Sequence, residues 1–462
     1  MSALPADALT DALADLVAAL PDDVVVSDAD RTEKYRWDRS QDPHAGTPLA
    51  VVRAQDAAQV QATVRWAAEH GVPVVPRGAG TGLSGGASAL DGGIVLSLER
   101  MTAVEVDAEC QVAFVEPGAL NSAVKAAAAE HGLWYPPDPS SWDICSIGGN
   151  IATNAGGLCC VKYGVTSDYV LGLDVVLADG TLVTLGGPRI KDVAGLSLLE
   201  LFVGSEGTLG VVTRAVLRLL PAQSAGATLV ASFPTMTAAA EAVVAIRGQL
   251  RPSMLELMDG PSIRAVEDFR PMGLDTAAGA LLVAQSDAPG AACAEEVDAM
   301  RRACESAGGS DVFVTTDPDE GELFVQARRL VVPAVEPLGE LMLEDVGVPV
   351  PRLPQLVDAV AGIAERHDVL IPVVAHAGDG NTHPLIVVPR GDADARVRAL
   401  AAFDEVMEAA IALGGTITGE HGVGRTKKAA LPAQLGDDVM ALTRRVKDAL
   451  DPAGIFNPGA IL

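Results

Sequence analysis

The apolar positions in the first third of the chain fall into short strand-length runs around one clear helical period. Residues 49–52 (Leu-Ala-Val-Val) have the length of a buried strand. Asp56 then precedes a stretch in which Val60, Val64 and Ala68 share a face, and Gly71 follows, so a capped helix is predicted up to His70. Residues 72–75 and 94–98 read as further strands, which makes a β-α-β unit. Residues 104–106 and 112–115 read as an antiparallel pair, and Asn121 as the cap of a helix over 122–131. Strands at 172–177, 182–185 and after 210 close a first half near residue 222. From residue 225, strands at 229–231 and 280–284 alternate with alanine-rich helices at 237–249 and 291–306, as in an α+β domain. A helix at 353–367, strands at 369–375 and 384–388, and a helical tail from 435 follow. Residues 1–20 are helical in pattern and begin a lead-in that runs to 45.

Between the strands at 72–75 and 94–98 lies a loop dense in glycine, Pro76-Arg77-Gly78-Ala79-Gly80-Thr81-Gly82-Leu83-Ser84-Gly85-Gly86. Without Cβ atoms, backbone N–H groups can converge on an anion. Thr81 and Ser84 add hydroxyls and Arg77 a positive charge, which suits a pyrophosphate. Gly80, Gly82 and Gly85 spell the dinucleotide fingerprint, but a turn and a strand follow where that fingerprint needs a helix, so a Rossmann reading fails. The loop alone also allows a glycine-rich surface loop. A second stretch, 146–157, carries Ser146, Gly149, Asn150, Ala152, Thr153, Asn154 and Gly156, neutral donors and acceptors suited to a flavin ring and its ribityl chain, or a helix packed through its glycines. It follows a stiff segment containing Pro137 and Asp138. A third, 203–213, includes Glu206, Gly207, Gly210, Val211 and Val212, a turn that can aim N–H groups at an adenine or phosphate.

A different chemistry follows. His376 and His383 stand at the two ends of one tight turn, and Glu420 and His421 sit together within glycines. Two imidazoles and a carboxylate suit zinc, manganese or iron with positions left open for a substrate's carboxylate and hydroxyl. His421, with an ordinary pKa near neutrality, suits a general base. Spacing alone also allows the two imidazoles merely to satisfy the turn. Arg328 and Arg329 end a helix, either as a carboxylate fork or as a solvated pair.

Composition narrows the field. At 462 residues and 49% hydrophobic, two or three domains are expected. The 61 acidic against 33 basic residues exclude a nucleic-acid surface and suit an acidic solubilising one. No membrane span and no secretory signal are expected. The six cysteines contain no C-x-x-C and nothing resembling an iron–sulfur run.

Six ordered motifs resemble the FAD-dependent oxidoreductases of the vanillyl-alcohol-oxidase (PCMH-type) superfamily, in the branch with D-lactate dehydrogenases, D-2-hydroxyglutarate dehydrogenases and the FAD subunit of glycolate oxidase. They are P-R-G-x-G-T-G-L-S-G-G (76–86), S-I-G-G-N-I-A-T-N-A-G-G (146–157), G-S-E-G-T-L-G-V-V-T (204–213), H-A-G-D-G-N-T-H-P-L (376–385), G-E-H-G-V-G-R (419–425) and F-N-P-G (456–459). The resemblance implies an α+β fold: a lead-in at 1–45, a two-part FAD domain at 46–222 (subdomains 46–105 and 106–222), a substrate or cap domain with an antiparallel sheet at 223–420, and a tail at 421–462 returning to the flavin. It implies metal ligation by His376, His383 and Glu420, His421 as substrate-binding base, and Arg328 on the substrate carboxylate. Cofactor candidates are Pro76, Arg77, Gly78, Gly80, Thr81, Gly82, Leu83, Ser84, Gly85, Pro137, Asp138, the 146–156 and 206–212 residues named above, and Asn457. With no histidine in the glycine loop, the FAD is expected to be non-covalent. Relatives acting on dicarboxylates carry threonine, lysine and asparagine where this chain has Val332, Leu343 and Leu385. The expected activity is therefore oxidation of a small 2-hydroxy acid, glycolate or D-lactate in type, to the 2-oxo acid. An oxidase acting on another alcohol and a non-catalytic FAD subunit are the alternatives. With no iron–sulfur motif in the chain, the resemblance implies that electrons leave to a separate acceptor: a protein, a quinone or a cytochrome. A homodimer or a complex with an iron–sulfur subunit, and a cytoplasmic site peripheral to the inner membrane through a partner, complete the expectation.

Overall fold

The computed structural model describes residues 6–224 and 226–462. Residues 1–5 of the expected lead-in helix, and residue 225, where the pattern changes, lie outside the described residues. The chain divides into two compact units. One contains the chain up to Ala155, then Val165–Ala222 and Glu420–Leu462; the other contains Gly156–Gly164 and Gln223–Gly419.

The first unit holds two sheets. In one, strands Ala50–Arg53 and Val74–Arg77 both lie parallel to a central strand, Ile94–Ser97, with Val25–Val26 antiparallel at the edge. Parallel neighbours need a crossover. It is the helix Ala57–His70, whose Asp56 cap accepts from the Gln59 N–H and which Gly71 ends at φ 64°. Alternate strand residues bury on opposite sides. Ala50, Val52, Ile94 and Leu96 meet Val60, Val64 and Ala67 of the helix, while Val51 and Val95 meet Tyr35 and Ala89. Covering both faces explains why these strands read as continuous apolar runs.

The other sheet orders Val104–Asp107, Val112–Val115, Val211–Arg218, Val170–Val176 and Leu182–Gly186, antiparallel throughout. Its helix, Asn121–Ala129, starts one residue earlier than expected. Leu120 holds the cap position, and Asn121 is buried inside the first turn, donating from Nδ2 to the Pro137 carbonyl at 3.2 Å. The tail adds to the first sheet: Val74 donates to the Ile455 carbonyl at 2.8 Å, and Asn457 returns a 2.8 Å bond to Val74.

The second unit is built on one antiparallel sheet. Its order is Ser310–Thr315, Ala227–Phe233, Ala280–Ser286, Met254–Asp259, Val373–His376, Asn381–Val388 and Glu340–Leu343, with Val346–Gly347 also on Asn381–Val388. Met254–Asp259, Ser310–Thr315 and Glu340–Leu343 are strands that the apolar pattern did not signal. The segment Gly156–Gly164 also belongs here, rather than to a continuous stretch ending at 222. Leu158 joins the apolar cluster of Met254 and Met258, and Asp287 takes Lys162 and Tyr163 as partners. Gly419 ends this unit, so Glu420 begins the tail segment of the first.

Candidate functional site

In the first unit the three small-residue motifs meet. The strand Val74–Arg77 delivers the glycine loop, and the Ala79 N–H donates to Ser146 Oγ at 3.1 Å. A Cβ on Gly78 would lie 2.2 Å from that hydroxyl, so only glycine allows the approach. The helix Ile147–Thr153 follows Ser146 and ends on Asn154 in the left-handed region (φ 53°). Ala152 and Ile151 accept from the Glu206 and Gly204 N–H groups, each at 2.8 Å, and Gly207 lies against Pro76. Among the described residues, no protein acceptor answers the N–H groups of residues 80–86. The buried Asn150 Nδ2 also lacks one. A run of unanswered amides on a glycine-lined wall fits a pyrophosphate, and an unanswered carboxamide beside it fits a polar ring edge.

Several of the residues named as cofactor candidates also bond within the protein. Arg77 does not offer its charge outward. It folds inside the loop, donating to the Ala87 carbonyl at 3.0 Å, and a Cβ on Gly80 (φ 75°) would collide with it. Ser84 Oγ donates to the His421 carbonyl at 3.1 Å. Asn154 Oδ1 accepts from Ser167, Gly210 abuts Val175 and Phe202, and Val211 is core. Asn457 Nδ2 donates to the Gly86 and Glu206 carbonyls at 2.7 and 2.8 Å. Gly156 falls in the second unit. The Glu206 carboxylate, in the turn read from sequence as a cofactor turn, accepts the N–H groups of Val423 and Gly424, both at 2.7 Å. Burial pushes it up to about 7, against the pull of those two amides. His421 Nε2 lies 3.8 Å from the neighbouring Glu420 carboxylate.

In the second unit His376 ends the strand Val373–His376 and His383 stands on its antiparallel neighbour, Asn381–Val388, with ring centroids 5.1 Å apart and planes at 85°. Both are buried. His376 Nδ1 meets the Glu256 carboxylate at 2.8 and 3.0 Å. His383 Nδ1 faces Asp345 at 3.7 Å. The 3.7 Å between His383 and Asp345 is beyond hydrogen-bond distance, whereas Glu256 fixes the His376 ring by hydrogen bond, as carboxylates do for metal-binding histidines. This is more than a turn needs. Arg328 is buried and places Nε 3.0 Å from Glu256, whereas Arg329 pairs with the exposed Glu322. Asp345 also accepts from Thr418 Oγ1 at 2.7 Å and the Gly419 N–H at 2.9 Å. Val332, Leu343 and Leu385 line one apolar cluster, with Leu343 and Leu385 paired across the sheet.

Glu256 and Asp345 were not found from the sequence. The signal for Glu256 was a single charge within the apolar run 254–258 of the strand Met254–Asp259, all six residues of which are buried. The six cysteines are free thiols, with Cys159 buried and Cys160 half-buried. No described helix is long and apolar enough to cross a membrane.

Comparison with known proteins agrees with this architecture. Residues 48–186 match the model of an FAD binding domain, and residues 222–461 match that of the C-terminal domain of FAD linked oxidases. The chain is 41% identical over 417 residues to the glycolate oxidase subunit GlcD of Bacillus subtilis, covering 89% of this chain and 88% of that protein. It is 35% identical over 440 residues to a D-lactate dehydrogenase of Archaeoglobus fulgidus, covering 93% and 96%. Its fold resembles the crystal structure of p-cresol methylhydroxylase with substrate bound, with a TM-score of 0.82 at 18% identity over 99% of this chain and 97% of that one.

Proposed function

The chain belongs to the FAD-linked oxidases, and from that premise we propose that it oxidises a small 2-hydroxy acid, of the glycolate or D-lactate type, to the 2-oxo acid. The observation that carries the proposal is the buried group His376, His383 and Arg328, in which Glu256 answers both His376 and Arg328. Two buried imidazoles, one of them held by a carboxylate, and a guanidinium suit an α-hydroxy carboxylate. The names of the two relatives point to the same substrate class.

In this reading Arg328 holds the carboxylate of the acid. His376 and His383, with Glu420, would hold a divalent ion, zinc, manganese or iron, which would polarise the hydroxyl. His421 takes the hydroxyl proton. Bound FAD supplies the hydride acceptor at N5. The apolar Val332, Leu343 and Leu385 leave no partner for a second carboxylate on the substrate, and an unpaired buried charge is costly. The electrons would leave the chain for a separate acceptor, in keeping with the subunit name of the Bacillus relative.

The test is anaerobic bleaching of the visible flavin absorbance by D-lactate, L-lactate, glycolate and D-2-hydroxyglutarate, before and after chelation. Bleaching by glycolate or D-lactate, lost on chelation and restored by metal, is expected. Faster bleaching by D-2-hydroxyglutarate would refute the substrate assignment. Bleaching that survives chelation would refute the metal.

A further inference from the structure

We propose that Glu206 is the positioning residue for His421, fixing the backbone beyond the base to the turn that packs beneath the glycine loop. The proposal rests on the reading of His421 as base. Everything it uses lies within the first unit.

Glu206 has an unusual backbone for a residue with a side chain, φ 49° in the left-handed region. That conformation sends a carboxylate into the interior, where each oxygen takes one amide: Oε1 from Val423 and Oε2 from Gly424. These are the second and third residues after His421. The approach requires glycines. A Cβ on Gly422 (φ 89°) would lie 2.8 Å from Glu206 Oε1, and one on Gly424 (φ 50°) would lie 1.9 Å from the Ser84 carbonyl. The histidine and the two glycines of H-G-V-G-R are therefore one device, with the glycines making room for the clamp.

Three further bonds close it. Ser84 Oγ holds the His421 carbonyl at 3.1 Å, and the Ser84 carbonyl accepts from Arg425 N–H at 2.8 Å. Asn457 Nδ2 holds the Glu206 carbonyl at 2.8 Å. The charged groups facing Glu206 are Asp38 from the lead-in and Arg425 from the tail, of opposite effect. The Arg425 guanidinium is itself held by the Gly85 and Ser88 carbonyls and by Asn457 Oδ1. A cofactor contact needs none of this. A clamp on the segment carrying His421 needs all of it. Ionised Glu206 can accept both amides fully; a proton on one oxygen weakens one of the two bonds, so the clamp is strongest when Glu206 is charged.

The experiment compares Glu206→Gln with wild type and with His421→Ala in anaerobic flavin reduction across pH, with FAD content measured on each. The carboxamide keeps the shape but sets an N–H₂ group against one amide. We expect full FAD occupancy, KM for the acid within about threefold, and reduction slowed about ten- to a hundredfold, the size of an ångström-scale misplacement of a reacting group. The acid limb of the rate profile should also lose one ionisation, which a merely structural lesion would leave in place. A wild-type rate and profile in Glu206→Gln would overturn the proposal. So would loss of FAD from a folded variant, since Glu206 would then serve the cofactor. If the variant does not fold, Gly422→Ala decides, because its methyl displaces the same carboxylate. FAD-replete Gly422→Ala at the wild-type rate would overturn the clamp. Near-normal reduction by His421→Ala would instead refute the reading of the base.

Discussion

Glu256 shows how much one side chain can organise. It lies in the strand Met254–Asp259, between Leu255 and Leu257, with only 1% of its side chain exposed. A lone carboxylate there would be strongly disfavoured. It is tolerated because it has two partners, His376 Nδ1 at 2.8 Å and Arg328 Nε at 3.0 Å. One group therefore sets the orientation of an imidazole and anchors a guanidinium. Replacing Glu256 by glutamine keeps an acceptor for the imidazole N–H but removes the charge that balances Arg328. On the proposed reading of His376 and His383 as metal ligands, metal affinity should fall about ten- to a hundredfold, while FAD content stays unchanged. Competition with a fluorescent chelator measures the first, and flavin absorbance per protein the second. Glu322→Gln is the control, since Glu322 pairs with Arg329 at a 46% exposed side chain. Equal metal affinity in Glu256→Gln and Glu322→Gln would show that His376 does not depend on Glu256.

At the scale of elements, Asp259 does for two segments what Glu256 does for two side chains. It caps the helix Gly260–Phe269 by accepting from the Ser262 N–H at 2.8 Å, and its other oxygen takes the Val373 N–H at 2.9 Å. Val373 opens the short strand that ends at His376. Asp259→Ala removes a cap and orphans a buried amide, so it should cost about 2 kcal/mol or more. Denaturant unfolding measures this, and on the proposed metal reading loading should fall in parallel because the histidine strand loses its tether. The helix Ala57–His70 was legible in the sequence because its cap, its period and its stop all lie within one short window. The strand Met254–Asp259 was not, because its apolar run is broken by Glu256, the partner of His376 and Arg328. The glycine motifs were legible as places where a backbone must come close. Which neighbour comes close was not legible: Ser146 for Gly78, Arg77 for Gly80 and Glu206 for Gly422 are contacts between stretches far apart in sequence, or turned inward against the simple expectation.

Across the whole molecule acidic charge prevails, −28 formally, with no compensating excess of basic residues. Self-repulsion in such a chain grows as carboxylates ionise, so it lowers stability as pH rises. Two buried carboxyls act in the same direction for a different reason. Burial pushes Glu206 up to about 7 and Asp259 up to about 6, both against hydrogen bonds that favour the charged form. Unfolded, both would ionise in the ordinary carboxylate range. Between that range and the folded values the native state binds protons that the unfolded state has released. Their contribution is therefore fully present below the ordinary range and is lost as pH rises through about 6 and about 7. Groups of opposite sign act lower. At Glu99, burial is outweighed by hydrogen bonds from Tyr35 and Arg53, which hold its pKa below the ordinary value, so its contribution is lost only in more acidic solution. Salt separates the two causes, since about 1 M salt shortens the Debye length to about 3 Å and screens surface repulsion but not a buried group. Tm should fall from about pH 5 to about pH 8 at low salt, and part of that fall should persist at about 1 M. The persisting part should shrink in Asp259→Asn between the ordinary carboxylate range and about pH 6, because an amide has no proton to release there. If high salt abolished the whole fall in the wild type, net charge alone would govern the pH dependence, and burial of these two carboxyls would contribute nothing to it.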